Sequence, residues 1–178
     1  MKNKYNTPYA HATNIYDINP SFFKKEHIKV ILCDLDNTLD SYRAMSPRQE
    51  ALKFKNELDK LGIKLIIISN NREKRVKPYA EKLGVTYLSK AGKPFKKRIS
   101  RFLKENCYNL SDVLLVGDQL MTDIKCAARL GIKSILTEKL VQEDQWTTHI
   151  NRLFDRPLRR RLLKRGLLID WRKRYEHS

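Results

Sequence analysis

Short apolar runs alternate with helix-length amphipathic stretches from residue 30 to residue 136, and this rhythm restricts the fold more than any single motif. The runs are residues 30–34, 63–69, 85–88, 113–116 and 132–136. Val30, Ile31, Leu32 and Cys33 are apolar throughout rather than alternating, as a strand buried on both faces is. Between the runs, Pro47 opens a helix reaching about Leu61 and ended by Gly62. Further helices are predicted over 73–83, stopped by Gly84, over 95–106, and over 120–130, ended by Gly131. Strands alternating with helices of this length imply an α/β fold, a central parallel sheet covered on both faces in three layers. Residues 1–27 read as an N-terminal arm packed on the body through Ile15, Tyr16, Ile18, Phe22 and Phe23. Residues 28–150 read as the core, and 151–178 as a basic amphipathic tail.

Ligands of such sheets bind beyond the carboxyl ends of the strands, and polar groups gather there. The first strand ends in Asp34 and Asp36, two apart and therefore pointing the same way on extended backbone. Crowding two carboxylates there costs free energy unless a cation or a proton compensates. Asp and Asn after a strand are also ordinary turn residues, so this segment alone leaves catalysis and structure open. A calcium-binding EF-hand loop does not fit, because Leu39 stands at the turn glycine and Met45 at the closing glutamate. Ser69 with Asn70, Lys93 in its loop, and Asp118 with Asp123 after Gly117 occupy the other strand ends. Phosphoryl transfer needs these parts together: a cation such as Lys93, donors such as Ser69 and backbone amides, and carboxylates to hold Mg²⁺.

Asp34-x-Asp36-x-Thr38, Ser69, Lys93 and Gly117-Asp118-x-x-x-x-Asp123 match in order and kind the four motifs of haloacid dehalogenase (HAD) superfamily phosphatases, and the chain resembles them over about residues 28–137. The resemblance implies a Rossmann-like fold with Asp34 as the nucleophile that forms an aspartyl-phosphate. It implies that Asp36 protonates the leaving group and then activates water, that Thr38 orients Asp36, and that Ser69, with Asn70 beside it, binds phosphate. Lys93 would steady the phosphoryl group. Mg²⁺ would be held by Asp34, the carbonyl of Asp36 and Asp118, with Asp123 supporting; Mn²⁺ accepts the same oxygen ligands. An arm with Asp17-Ile18, the strand end Ser69-Asn70-Asn71, Gly92-Lys93-Pro94, Gly117-Asp118-Gln119-Leu120 and the basic tail make the whole chain similar to YqeG-type subfamily IIIA phosphatases. That group is similar to phosphatases that convert phosphatidylglycerophosphate to phosphatidylglycerol. A signalling receiver domain uses related groups, but it places its lysine last and lacks an acid/base carboxylate beside the phosphoacceptor.

Only 34 residues separate Asp34 from Ser69 and 23 separate Ser69 from Lys93, and core elements use up both intervals, so no cap domain is expected. A capless site cannot enclose a small metabolite, which favours a large or surface-presented substrate. The net charge of +17 calls for an anionic partner. Residues 151–178 hold ten Lys/Arg against three Asp/Glu. Arg156, Arg159, Arg160, Arg161, Lys164 and Arg165 interleave there with Leu158, Leu162 and Leu163. Such a segment either lies on an anionic bilayer or packs its leucines on the domain and leaves its arginines solvated. Two substrates remain open: an anionic lipid headgroup at the cytosolic membrane face, and nucleotides or nucleic-acid termini. No apolar run is long enough to cross a bilayer and no signal segment is seen, so a cytoplasmic or peripheral location is expected. Cys33, Cys107 and Cys126 suit reduced, core-filling thiols, Trp146 and Trp171 suit packing, and the histidines receive no role.

Overall fold

The computed structural model describes residues 7–140 and 148–177. Six strands form one sheet: β1 (Ala10–Ala12), β2 (Val30–Cys33), β3 (Lys64–Ile68), β4 (Thr86–Leu88), β5 (Val113–Gly117) and β6 (Lys133–Thr137). Their order is β1-β6-β5-β2-β3-β4, and every pairing is parallel. The helices are α1 (Pro20–Lys25), α2 (Gln49–Lys60), α3 (Glu73–Leu83), α4 (Lys97–Glu105), α5 (Lys125–Leu130), α6 (Thr148–Lys164) and α7 (Trp171–His177). Successive side chains leave a strand on opposite faces. Ile31 and Cys33 of β2 therefore join the core beneath α1, α2 and α3, while Val30 and Leu32 join the one beneath α4 and α5. This is the expected three-layer α/β sandwich. Among the described residues, no cap domain interrupts it.

From β2 the chain builds outward through β3 and β4, then returns to β2's other side for β5 and β6. The strand order thus reverses between β2 and β5, where a crevice opens at the carboxyl ends. Register places the motifs there. Cys33 pairs with Val116, and the Asp34 amide donates to the Val116 carbonyl at 2.9 Å, so the Asp34 and Asp118 ends leave the sheet side by side.

The structure adds to the sequence reading at four places. The arm contributes an edge strand, β1, whose Ala10 pairs with Ile135 of β6. Ala-His-Ala is too short and too poor in β-branched residues to announce a strand. The tail returns to the same edge: the His11 amide donates to the Ile169 carbonyl at 2.8 Å, and Trp171 buries itself against Phe22 with ring centroids 5.8 Å apart. Residues 120–130 are not one α-helix: Leu120–Ile124 form a wider π-helical turn before α5. Cys107 is exposed rather than core-filling, since it turns the chain at φ 55° just after α4. Trp146 lies outside the described residues. No helix among the described residues is long and apolar enough to cross a membrane.

Candidate active site

Lys93 stands at the centre of the polar cluster. Its ammonium donates to Asp34 Oδ1 at 2.6 Å, to Asp123 Oδ1 at 2.7 Å and to the Ile68 carbonyl at 3.2 Å. The lysine backbone is fixed by Asn70, whose amide side chain donates to the Lys93 carbonyl and accepts from the Lys93 amide, both at 2.8 Å. Asn70, expected beside the phosphate, holds Lys93 in place through both bonds. Burial alone would pull the Lys93 ammonium down, but Asp123 and Asp34 outweigh it and hold it well above its ordinary range. Lys93 is a permanent cation here.

Asp118 joins the two carboxylates paired with that ammonium. One oxygen each from Asp34, Asp118 and Asp123 lies within 4.8 Å of the others. Asp123 is carried back toward the strand ends by the π-helical turn, in which the Asp123 and Ile124 amides both donate to the Gln119 carbonyl, at 3.0 and 3.2 Å. Its Oδ2 accepts from the Gln119 amide at 3.2 Å. Gly117 makes room for it, because a Cβ at that position would stand 2.3 Å from Asp123 Cγ. Burial pushes the Asp34 carboxyl up to about 7, against the lowering pull of Lys93 and with Asp123 and Asp36 adding to the rise. The cluster carries more negative charge than one ammonium balances. Its hard oxygen donors fit Mg²⁺ or a similar divalent cation, and Asp34, Asp118 and Asp123 are grouped closely enough to share one.

Exposure separates the carboxylates by task. Asp34 keeps 12% of its side chain open and Asp36 15%, whereas Asp123 keeps 1%. Only the first two can meet an incoming phosphate. Asp36 accepts from Asn71 Nδ2 at 2.6 Å and from Arg75 Nη2 at 2.7 Å, and Arg75 also donates to the Ser41 carbonyl at 3.1 Å. The orientation of Asp36 expected of Thr38 falls to Asn71 and Arg75; Thr38 Oγ1 is buried with no hydrogen-bond partner among the described residues. Ser69 is buried at the end of β3, and its Oγ accepts from the Asn71 amide at 3.1 Å, which leaves the O–H to donate. Cys33 lies behind Asp34, and burial pushes its thiol well up, so it stays a neutral filler.

Asn71 was in view in the strand-end motif without a role of its own. Arg75 carried no local signal, because one arginine in the first turn of a lysine- and arginine-rich helix looks like a solvated charge. Arg159 of the basic tail also turns inward, donating to the Asp118 carbonyl at 2.7 Å.

A family profile described as HAD-hydrolase-like matches residues 90–154. The chain is 33% identical over 171 residues to a Bacillus subtilis (strain 168) protein named "Probable phosphatase YqeG", covering 96% of this chain and 99% of the relative. An uncharacterized protein from Listeria monocytogenes serotype 4b superimposes with a TM-score of 0.53 at 16% identity, covering 75% of this chain and 99% of that one. The cobalt-bound deoxy-D-mannose-octulosonate 8-phosphate phosphatase of Haemophilus influenzae does so with a TM-score of 0.51 at 14% identity, covering 65% and 81%. At such identities the two structures speak for the fold alone. Identity to the Bacillus protein along nearly the whole of both chains decides the family: this chain belongs to the HAD-like hydrolases and is related to the YqeG-type phosphatases.

Proposed function

We propose that this HAD-type phosphomonoester hydrolase works through an aspartyl-phosphate on Asp34 and removes the terminal phosphate of phosphatidylglycerophosphate at a membrane surface. The observation that carries the chemistry is the split between two solvent-reaching carboxylates, Asp34 and Asp36, and a buried Lys93–Asp123 pair behind them. An Asp34 carboxylate oxygen attacks phosphorus, the ester P–O bond breaks, and Asp36 gives its proton to the leaving oxygen. Asp36 then takes a proton from water as that water attacks phosphorus. The acyl-phosphate P–O bond breaks, releasing inorganic phosphate and restoring the Asp34 carboxylate. Lys93 balances charge at Asp34 throughout, and the Ser69 hydroxyl donates to a phosphate oxygen. A divalent cation would be held by Asp34, the Asp36 carbonyl and Asp118, with Asp123 supporting, and would supply charge neutralisation for the phosphoryl oxygens.

The lipid assignment draws on the edge around the site. Phe95, two residues past Lys93, is 68% exposed, and Met45, in the loop after β2, is 58% exposed. Lys96, Lys97 and Arg98 beside Phe95 are exposed as well. Arg156, Arg160, Arg161 and Lys164 are exposed on α6, whose inner face reaches the Asp118 carbonyl through Arg159. Apolar side chains set among cations suit an anionic bilayer, where each Lys or Arg near the surface contributes about 1 kcal/mol. A bilayer pressed against an open edge excludes the water that a cap would otherwise exclude. The test is phosphate release from phosphatidylglycerophosphate in mixed micelles, compared with a 5′-phosphorylated oligonucleotide at equal concentration. Preference for the lipid is expected, and preference for the oligonucleotide overturns the substrate assignment.

A further inference from the structure

Helix α6 does more than cover an edge of the sheet. Its inward face meets the loop that carries Asp118 and Asp123 at three separate points. Arg159 Nη2 donates to the Asp118 carbonyl at 2.7 Å and to the Thr137 carbonyl at 3.2 Å. Asp155 Oδ1 accepts the Met121 amide at 3.0 Å, at the start of the π-helical turn. Leu162 is buried against Leu120, Ile124 and Leu136. Arg159 is itself held, because Nη1 donates to Glu138 Oε1 at 2.7 Å and the same oxygen lies 2.7 Å from His11 Nε2 on β1.

These contacts bracket the segment that positions two of the three clustered carboxylates. A π-helical turn leaves backbone groups without regular partners. The Asp118 carbonyl and Met121 amide find theirs on α6. An arginine already fixed by a carboxylate loses little freedom in making such a bond, and its planar fork reaches two carbonyls at once. Residues that orient metal-bearing groups without touching the ion govern its affinity, and removing one typically costs about 10- to 100-fold in binding.

We infer that Arg159 and Asp155 are positioning residues for the divalent-cation site, so that the basic tail is a working part of that site and not only a membrane-facing appendage. The inference rests on the reading of Asp34, Asp118 and Asp123 as the cation site. Binding and helix docking are then linked in both directions: if α6 tightens the ion, the ion must tighten α6 by the same factor.

Calorimetric Mg²⁺ titration of the full chain, together with amide hydrogen exchange across residues 155–164 with and without Mg²⁺, tests this. Arg159→Gln is expected to weaken Mg²⁺ binding about 10- to 100-fold, with Arg159→Lys recovering part of the loss. Mg²⁺ should slow exchange in α6 of the wild-type protein. Wild-type Mg²⁺ affinity in Arg159→Gln overturns the inference, as does α6 exchange that ignores Mg²⁺. The exchange measurement needs no variant and so decides the matter even where Arg159→Gln fails to fold. Asp118→Asn separates the two levels: if it binds Mg²⁺ as the wild type does, the cation-site reading falls, whatever Arg159 does.

Discussion

Two ion-paired clusters sit a few residues apart at the carboxyl edge of the sheet, and they differ in what surrounds them. In the cluster of Lys93, Asp34 and Asp123 the lysine and Asp123 are almost wholly enclosed, with 3% and 1% of their side chains exposed, and only Asp34, at 12%, reaches out. Arg75 with Asp36 lies at the rim, with 14% and 15% exposed. The enclosed cluster is held by backbone register, by the Asn70 clamp and by the space at Gly117, so its charges are preorganised and need no rearrangement during reaction. The rim pair is held by two side-chain donors to a single carboxylate. In the proposed mechanism, an acid that must give up and regain a proton belongs where its partners can yield, whereas the Lys93–Asp123 charges, which only stabilise, belong where nothing moves.

The largest effect is expected from Asp34→Asn, which removes the proposed nucleophile. Turnover of any phosphomonoester should fall by at least about a thousandfold, with the circular dichroism spectrum retained. Activity near wild type would show that the enclosed cluster is structural. Lys93→Met probes the same cluster by stability. It strands Asp34 and Asp123 without their cation, and chemical denaturation should show a loss of about 3–5 kcal/mol in the metal-free protein. A loss below about 1 kcal/mol would mean the carboxylates are not jointly ionised there.

At the rim, Arg75→Met should leave the fold intact and lower kcat about 10- to 100-fold with a smaller change in KM, since Asp36 loses one of its two donors. A change confined to KM would make Arg75 a substrate-binding residue instead. The smallest effect concerns pH. In the metal-free protein the Asp34 carboxyl is raised to about 7 from an ordinary value of 3.8. The folded state therefore binds more protons than the unfolded chain between those values. The stability this group contributes is full below about pH 4 and is lost as pH rises through about 7. Thermal melts in chelator should show wild-type Tm falling across that window relative to Asp34→Asn, and added Mg²⁺ should narrow the gap at pH 7 and above. Parallel curves for the two proteins would place Asp34 in a less demanding environment.

Much of the active site was legible in the sequence because several of its residues follow strands. Asp34, Ser69 and Asp118 stand at or just past strand ends, where a parallel sheet gathers its ligands, and their order along the chain matched the HAD motifs. The rim and the α6 contacts were not legible in this way. Arg75 and Arg159 are each one arginine among many in a chain with 37 Lys/Arg, and nothing local separates an inward-facing guanidinium from a solvated one. The tail illustrates the same point: Leu162 and Trp171 are buried while Arg156, Arg160 and Arg161 are exposed, so packing on the domain and presenting cations outward coexist in one segment.

The sequence by itself determined the α/β class, the run of buried strands and the residues at their ends, because hydrophobic periodicity and chain-local turn chemistry are written in consecutive residues. The tertiary structure alone decided that Ala10–Ala12 is a strand, that Asn70 serves Lys93, that Asn71 and Arg75 hold Asp36, and that Arg159 reaches the Asp118 carbonyl. Each of these joins positions far apart in the chain or side chains of ambiguous type. Which partner such a group finds depends on the register and burial that only the assembled sheet and its covering helices provide.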